Sequence, residues 1–125
     1  MSLYSINGNQ ISTVPPARAD FYESILGRIS EENLRNIIEE INRLIDERIA
    51  ANDENILVAG WMPGNDWSDT PFEPIYEACR LNIEASGWMF GLLVWQAMID
   101  RSEDWVFTKT QDIQSMVYFQ FDRNR

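Results

Sequence analysis

Between Gly60 and Glu73 the chain reads Gly-Trp-Met-Pro-Gly-Asn-Asp-Trp-Ser-Asp-Thr-Pro-Phe-Glu, the stretch where aromatic, acidic and turn-forming residues concentrate. Trp61, Trp67 and Phe72 have the faces to wall a pocket. Asp66 and Asp69 at its rim would hold a cationic or polyhydroxylated ligand through cation–π contact and charge-assisted hydrogen bonds. The same residues also suit a plain connection, with Trp61 and Phe72 plugging a core and the two aspartates bonding the loop backbone in Asx turns. A second chemistry uses Asp66, Asp69, Glu73 and Glu77. These are oxygen-only donors of the kind Mg²⁺ accepts, and Glu73 and Glu77 fall on one helical face. A Mg²⁺ ion there would orient a phosphate ester or activate water, with a neighbouring carboxylate as base. The spacing matches no Ca²⁺ loop, and clustered carboxylates are unsurprising in a chain with 20 Asp plus Glu.

Other chemistries are excluded by residue type. Histidine is absent, which removes every imidazole base, nucleophile and metal ligand from this chain acting alone. The single cysteine, Cys79, has no internal disulfide partner and no adjacent base; inside a helix and beside Ala78 it reads as an inert, partly buried thiol. Ser86 stands before Gly87-Trp88 without a Gly-x-Ser-x-Gly elbow. Gly60 to Gly64 lacks the Lys and Ser/Thr of a phosphate-binding loop.

A formal charge of -10, from 10 Lys plus Arg against 20 Asp plus Glu, disfavours direct nucleic-acid binding, whose affinity comes from cations displacing phosphate counterions. The opposite role, an acidic inhibitor seated on a basic enzyme, would want unrelieved rows of carboxylates. Arg35, Arg43 and Arg48 interrupt the acids of residues 31 to 48. The longest apolar run, Trp88 to Trp95, is far short of the ~18 residues of a membrane span. With one cysteine, no signal-peptide pattern and no glycosylation sequon, a cytoplasmic setting is expected.

The elements that must position these residues are read from periodicity. Asn7-Gly8 between short alternating stretches predicts an N-terminal hairpin with a type I′ turn, ended by Pro15 and Pro16. Asp20 in capping-box spacing with Glu23 predicts a short helix over residues 20 to 28. Ser30 as N-cap and apolar residues at Leu34, Ile37, Ile38, Ile41, Leu44, Ile45 and Ile49 predict a long amphipathic helix, with Glu31–Arg35 and Glu39–Arg43 pairs on its other face. Ile56 to Trp61 reads as a central strand. Thr70-Pro71-Phe72-Glu73 combines an N-cap with proline at the first helical position, although Pro74 displaces the start if it takes that role.

From Ile75 to Asp100 the residues favour one long helix over a helix ending near Gly87 followed by a strand. Cys79, Ile83, Gly87, Gly91 and Trp95 recur every fourth position, a stripe expected to pack tightly on a helix or sheet. Trp105 to Thr108 and Ser115 to Phe121 predict a C-terminal hairpin.

A single α+β domain over residues 1–125 follows: an antiparallel sheet with N- and C-terminal β-hairpins plus a central strand, two long helices packed on one face. A homodimer is expected from the exposed edges of such a sheet. The function these readings favour is a binding or protein-interaction module with its pocket or partner surface near residues 61–77. The Mg²⁺-dependent hydrolase of a phosphorylated small molecule and the acidic inhibitor are the alternatives.

Overall fold

The computed structural model describes residues 2–5, 8–51, 56–58, 70–101, 104–109 and 116–121. It is a mixed α+β fold of four α-helices and a five-stranded sheet among the described residues. The strands are β1 (Ser2–Tyr4), β2 (Gln10–Ile11), β3 (Ile56–Val58), β4 (Asp104–Lys109) and β5 (Met116–Phe121), in the spatial order β2-β1-β4-β5-β3. The helices are α1 (Ala19–Leu26), α2 (Glu31–Ala51), α3 (Glu73–Ala78) and α4 (Ile83–Asp100).

Both predicted hairpins form, and both differ in detail from expectation. In the N-terminal one Leu3 pairs with Ile11 and Tyr4 with Gln10. The Ser5 amide donates to the Asn9 carbonyl at 2.9 Å and the Gly8 amide to the Ser5 carbonyl at 2.9 Å. Three residues therefore lie between the paired ends, one more than a type I′ loop. Gly8 takes the positive φ of 87° that such three-residue connections place on glycine. In the C-terminal hairpin β4 and β5 pair without interruption from Asp104↔Phe121 to Lys109↔Met116.

Two expectations about the sheet are corrected. It is not wholly antiparallel: β1 runs parallel to β4, because nearly the whole chain intervenes between them and no hairpin dictates their direction. Residues 56–58 form an edge strand, not a central one, since β3 pairs only with β5 among the described strands. Helix α2 contacts this edge strand.

Helix α2 starts where its cap predicts, with the Ser30 hydroxyl accepting from the Asn33 amide at 3.1 Å. Ile37, Ile41 and Ile45 are fully buried, while Leu34, Leu44 and Ile49 are half-buried at the margins. On the solvent face Arg43 pairs with Glu40 and, at 2.9 Å, with Glu47; the predicted Glu39 partner is passed over. Helix α1 begins one residue before Asp20, continuing directly from a 3-10 turn at Pro16–Arg18, so no side chain caps it.

The expected long helix over residues 75–100 is two helices. After Ala78 the Arg80 amide donates to the Glu77 carbonyl at 3.0 Å and the Leu81 amide to the Tyr76 carbonyl at 2.8 Å. This pair of bonds is a Schellman stop with Arg80 where glycine usually stands. Arg80 and Leu81 have φ of 56° and 65°. The chain then restarts at Asn82, whose side-chain oxygen accepts from the Ala85 amide at 2.9 Å.

The break also re-aims the four-residue stripe. Ile83 is 58% exposed and Trp88 44% exposed, and a methyl group added at Gly87 or Gly91 would meet nothing within 4 Å. Tight packing through these glycines is therefore not found among the described residues. The core side of α4 is instead Met89, Phe90, Leu93, Val94, Ala97 and Met98. Trp95 fixes the helix to the rest of the fold: its indole N–H donates to the Thr13 carbonyl at 3.0 Å, and its ring meets Phe107 at 4.4 Å.

Candidate functional site

Helix α2 and the start of α3 form the two walls of an open groove of about 670 Å³. The α2 wall is Asn33, Asn36, Glu39, Glu40 and Arg43, and the facing wall is Thr70, Pro71, Glu73, Pro74 and Glu77. Each wall has a local cause. The heptad-like apolar spacing of α2 turns its isoleucines into the core and leaves the asparagines and glutamates outward. Opposite, Pro74 sits in the first turn of α3 and moves the helix start to Glu73, later than a Thr70 cap would give. Thr70 still shapes the entry, its hydroxyl accepting from the Phe72 amide at 3.2 Å and its carbonyl from the Glu73 amide at 3.1 Å.

The electrostatics of this groove are one-sided. Four carboxylates line it, from Glu39, Glu40, Glu73 and Glu77, against the single guanidinium of Arg43. That guanidinium is engaged by Glu40 and Glu47, and the hydrogen bond to Glu40 holds its pKa above the ordinary value. A second hollow of about 270 Å³ continues from the same residues Asn33, Pro74 and Glu77 toward Arg28 and Arg80. That continuation carries two arginines beside Glu77, of which Arg28 donates to the Ala78 carbonyl at 3.0 Å.

Of the residues singled out in the sequence, Glu73 and Glu77 share this groove. Phe72, three positions from the Asp69 expected beside it, is only 5% exposed and packs edge-on against Phe90 with ring centroids 5.0 Å apart. Its ring thereby anchors α3 to α4. Trp61, Asp66, Trp67 and Asp69 lie outside the described residues. Comparison with protein families, with curated proteins and with solved structures finds no match to this chain. Among the described residues no group of three or more His, Cys, Asp or Glu is placed to hold a metal ion, and no helix is long and apolar enough to cross a membrane.

Cys79 stands behind the groove and does not open into it. It is buried, and burial pushes its thiol pKa up, against the smaller opposing effects of the Ser86 hydroxyl and the Arg28 guanidinium. Ser86 is buried too, and its hydroxyl donates to the Asn82 carbonyl at 2.6 Å, closing the first turn of α4. Sequence reasoning missed the α2 wall altogether. Asn33, Asn36, Glu39 and Glu40 look like any solvated helix face, and only the placement of α3 beside them makes a groove.

Proposed function

We propose that the protein is a binding module whose α2–α3 groove takes a cationic, hydrogen-bonding ligand, of the class of a polyamine or a basic peptide segment. The observation that carries this is the charge of the groove: four carboxylates on two facing walls, with the nearest arginine already paired. Asn33 and Asn36 add amide groups for orientation, and the openness of the groove suits an extended ligand more than a compact one. Residues Trp61 to Asp69 lead directly into Thr70 in sequence, so the aromatic and acidic loop residues are the ones to test beside Glu73 and Glu77. A homodimer in a cytoplasmic setting, where the lone Cys79 stays reduced, belongs to the same proposal.

Titration calorimetry with spermidine and with an arginine-rich peptide at low ionic strength tests it. Binding should weaken as salt rises, since the Debye length falls to about 8 Å at physiological ionic strength. Replacing Glu73 and Glu77 together by Gln should weaken binding about tenfold, or about 1.4 kcal/mol. Absence of heat and of any thermal shift with either cation at low salt sinks the proposal.

The Mg²⁺-dependent hydrolase keeps one supporting observation, that Glu73 and Glu77 lie on a common wall. It requires Asp66 and Asp69 to complete a ligand set. A rise in Tm with millimolar Mg²⁺, abolished in the Glu73→Gln/Glu77→Gln protein, would favour it over the cation-binding module.

A further inference from the structure

Two hollows meet along helix α2, and the residues they share set their order. Asn33, Pro74 and Glu77 line both the groove of about 670 Å³ and the smaller hollow of about 270 Å³. Glu39, Glu40 and Glu73 line only the first, Arg28 and Arg80 only the second. On α2 the shared Asn33 and Glu40 are seven residues apart, about 10 Å along the helix axis. On α3 the shared carboxylate is Glu77, and Glu73 belongs to the groove alone. A ligand lying between the walls therefore meets two guanidiniums past Asn33 and carboxylates over the rest of its length, with Glu77 at the junction.

Both guanidiniums keep donors to spare. Arg28 donates one N–H to the Ala78 carbonyl, at 3.0 Å, which fixes it at the close of α3. A guanidinium carries five N–H donors, and its fork meets a carboxylate with two parallel bonds. Among the described residues neither Arg28 nor Arg80 forms an ion pair, although Glu77 lines the same hollow and the chain has 20 Asp plus Glu against 10 Lys plus Arg. Arg43 and Arg101, by contrast, are both held by acids. The hollow's lining carries two positive charges and one negative, so a single carboxylate balances it.

We infer that the ligand of the groove is a basic peptide held by its own C-terminus, with the terminal carboxylate on Arg28 and Arg80 and its cationic side chains among the carboxylates of the groove. This assignment rests on the groove being a cation site, and it chooses between the two cations proposed above, since a polyamine has no group for the arginines. Three extended residues span the distance of about 10 Å from Asn33 to Glu40. A basic residue three places before the C-terminus thus comes abreast of Glu39 and Glu40.

Calorimetry on the full chain at low ionic strength tests it with N-acetyl-Arg-Arg-Arg-Ala-Gly, prepared as the free acid and as the C-terminal amide, beside spermidine. Amidation removes the peptide's one negative charge. On a protein of formal charge -10, plain attraction makes the more cationic amide the tighter ligand. The arginine hollow reverses that order: the free acid is expected to bind about fivefold tighter, the scale of two exposed ion pairs. Arg28→Gln/Arg80→Gln should cancel the preference and tighten spermidine binding, because two like charges leave the site. Arg80→Gln alone, which keeps the bond to the Ala78 carbonyl, should remove about half of the preference if circular dichroism shows that the double variant does not fold. An amide that binds the wild-type chain as well as the acid or better overturns the C-terminal assignment and leaves the cation site standing. A preference for the acid that survives in folded variants overturns it too, by placing the carboxylate elsewhere. No binding of spermidine or of either peptide removes the cation site itself, and the assignment with it.

Discussion

Tyr118 of β5 is fully buried, and its hydroxyl has no hydrogen-bond partner among the described residues. Burying an unsatisfied hydroxyl costs about 1–3 kcal/mol. Tyr118→Phe removes that cost and leaves a void the size of one oxygen, on the order of 15 Å³, which at about 24 cal/mol per Å³ costs about 0.4 kcal/mol. The net expectation is a protein more stable by about 0.5–2.5 kcal/mol, read from urea unfolding with an unchanged m-value. The pH dependence supplies an internal check. Desolvation raises the phenol pKa far above its ordinary 10.0. The folded state then holds a proton that the unfolded state releases, so stability is fully present below pH ~10 and falls as pH rises above it. At pH 11 that loss is about 1.4 kcal/mol for one such tyrosine. Tyr118→Phe should abolish this share, leaving the smaller alkaline loss from Tyr22, whose pKa is raised by burial, Glu23 and Asp100. A variant destabilised by more than about 0.5 kcal/mol at pH 7, with its alkaline slope unchanged, would refute the reasoning by showing that the hydroxyl has a partner.

Substitutions at four positions probe α4 and its start. Gly87→Ala and Gly91→Ala, at helical positions where the added methyl meets nothing, should each raise stability by about 0.5–1 kcal/mol in denaturant unfolding. Asn82→Ala should cost about 1 kcal/mol, because the Ala85 amide loses its cap; Asn82→Ser should restore most of it. Trp95→Phe should cost more than either, since it strands the Thr13 carbonyl and loosens the Phe107 contact. Hydrogen exchange in residues 10–14 should speed up with it.

The parts of the fold that were legible in the sequence share a physical basis: each was encoded within a few residues of itself. Ser30 and the isoleucine spacing wrote α2, and Asn7-Gly8 and the alternation before Phe121 wrote the two hairpins. What was not legible depended on partners distant in sequence. Whether Ile56–Val58 is central or on an edge, and whether β1 meets β4 parallel, is decided by the neighbours that the helices leave accessible. The α2–α3 groove belongs to the same class, because Glu39 and Glu40 acquire a meaning only when Glu73 and Glu77 face them. The break between α3 and α4 is different in kind. Its signal, Asn82 as an N-cap, was present but unaccompanied by a glycine at the stop, and the surrounding periodicity outweighed it.

That missing glycine is where fold and candidate site meet. A left-handed backbone costs an L-residue about 1–2 kcal/mol, and Arg80 and Leu81 adopt it in succession at φ of 56° and 65°. Leu81 is 61% exposed, so little burial offsets its share. Arg80 lines the hollow that holds Arg28 and Glu77, the continuation of the groove. An arginine held in a glycine's position is thus strain at a place where a charge faces the groove, and strain of this sort clusters at binding sites. Arg80→Gly separates the two roles. If the arginine serves the groove, the variant gains about 0.5–1 kcal/mol of stability while its affinity for a ligand carrying both a cation and a carboxylate, such as an arginine-rich peptide with a free C-terminus, falls relative to spermidine. Equal affinity changes for the two ligands, measured by calorimetry on the same preparation, would leave Arg80 with no part in binding and reduce the site to its acidic end.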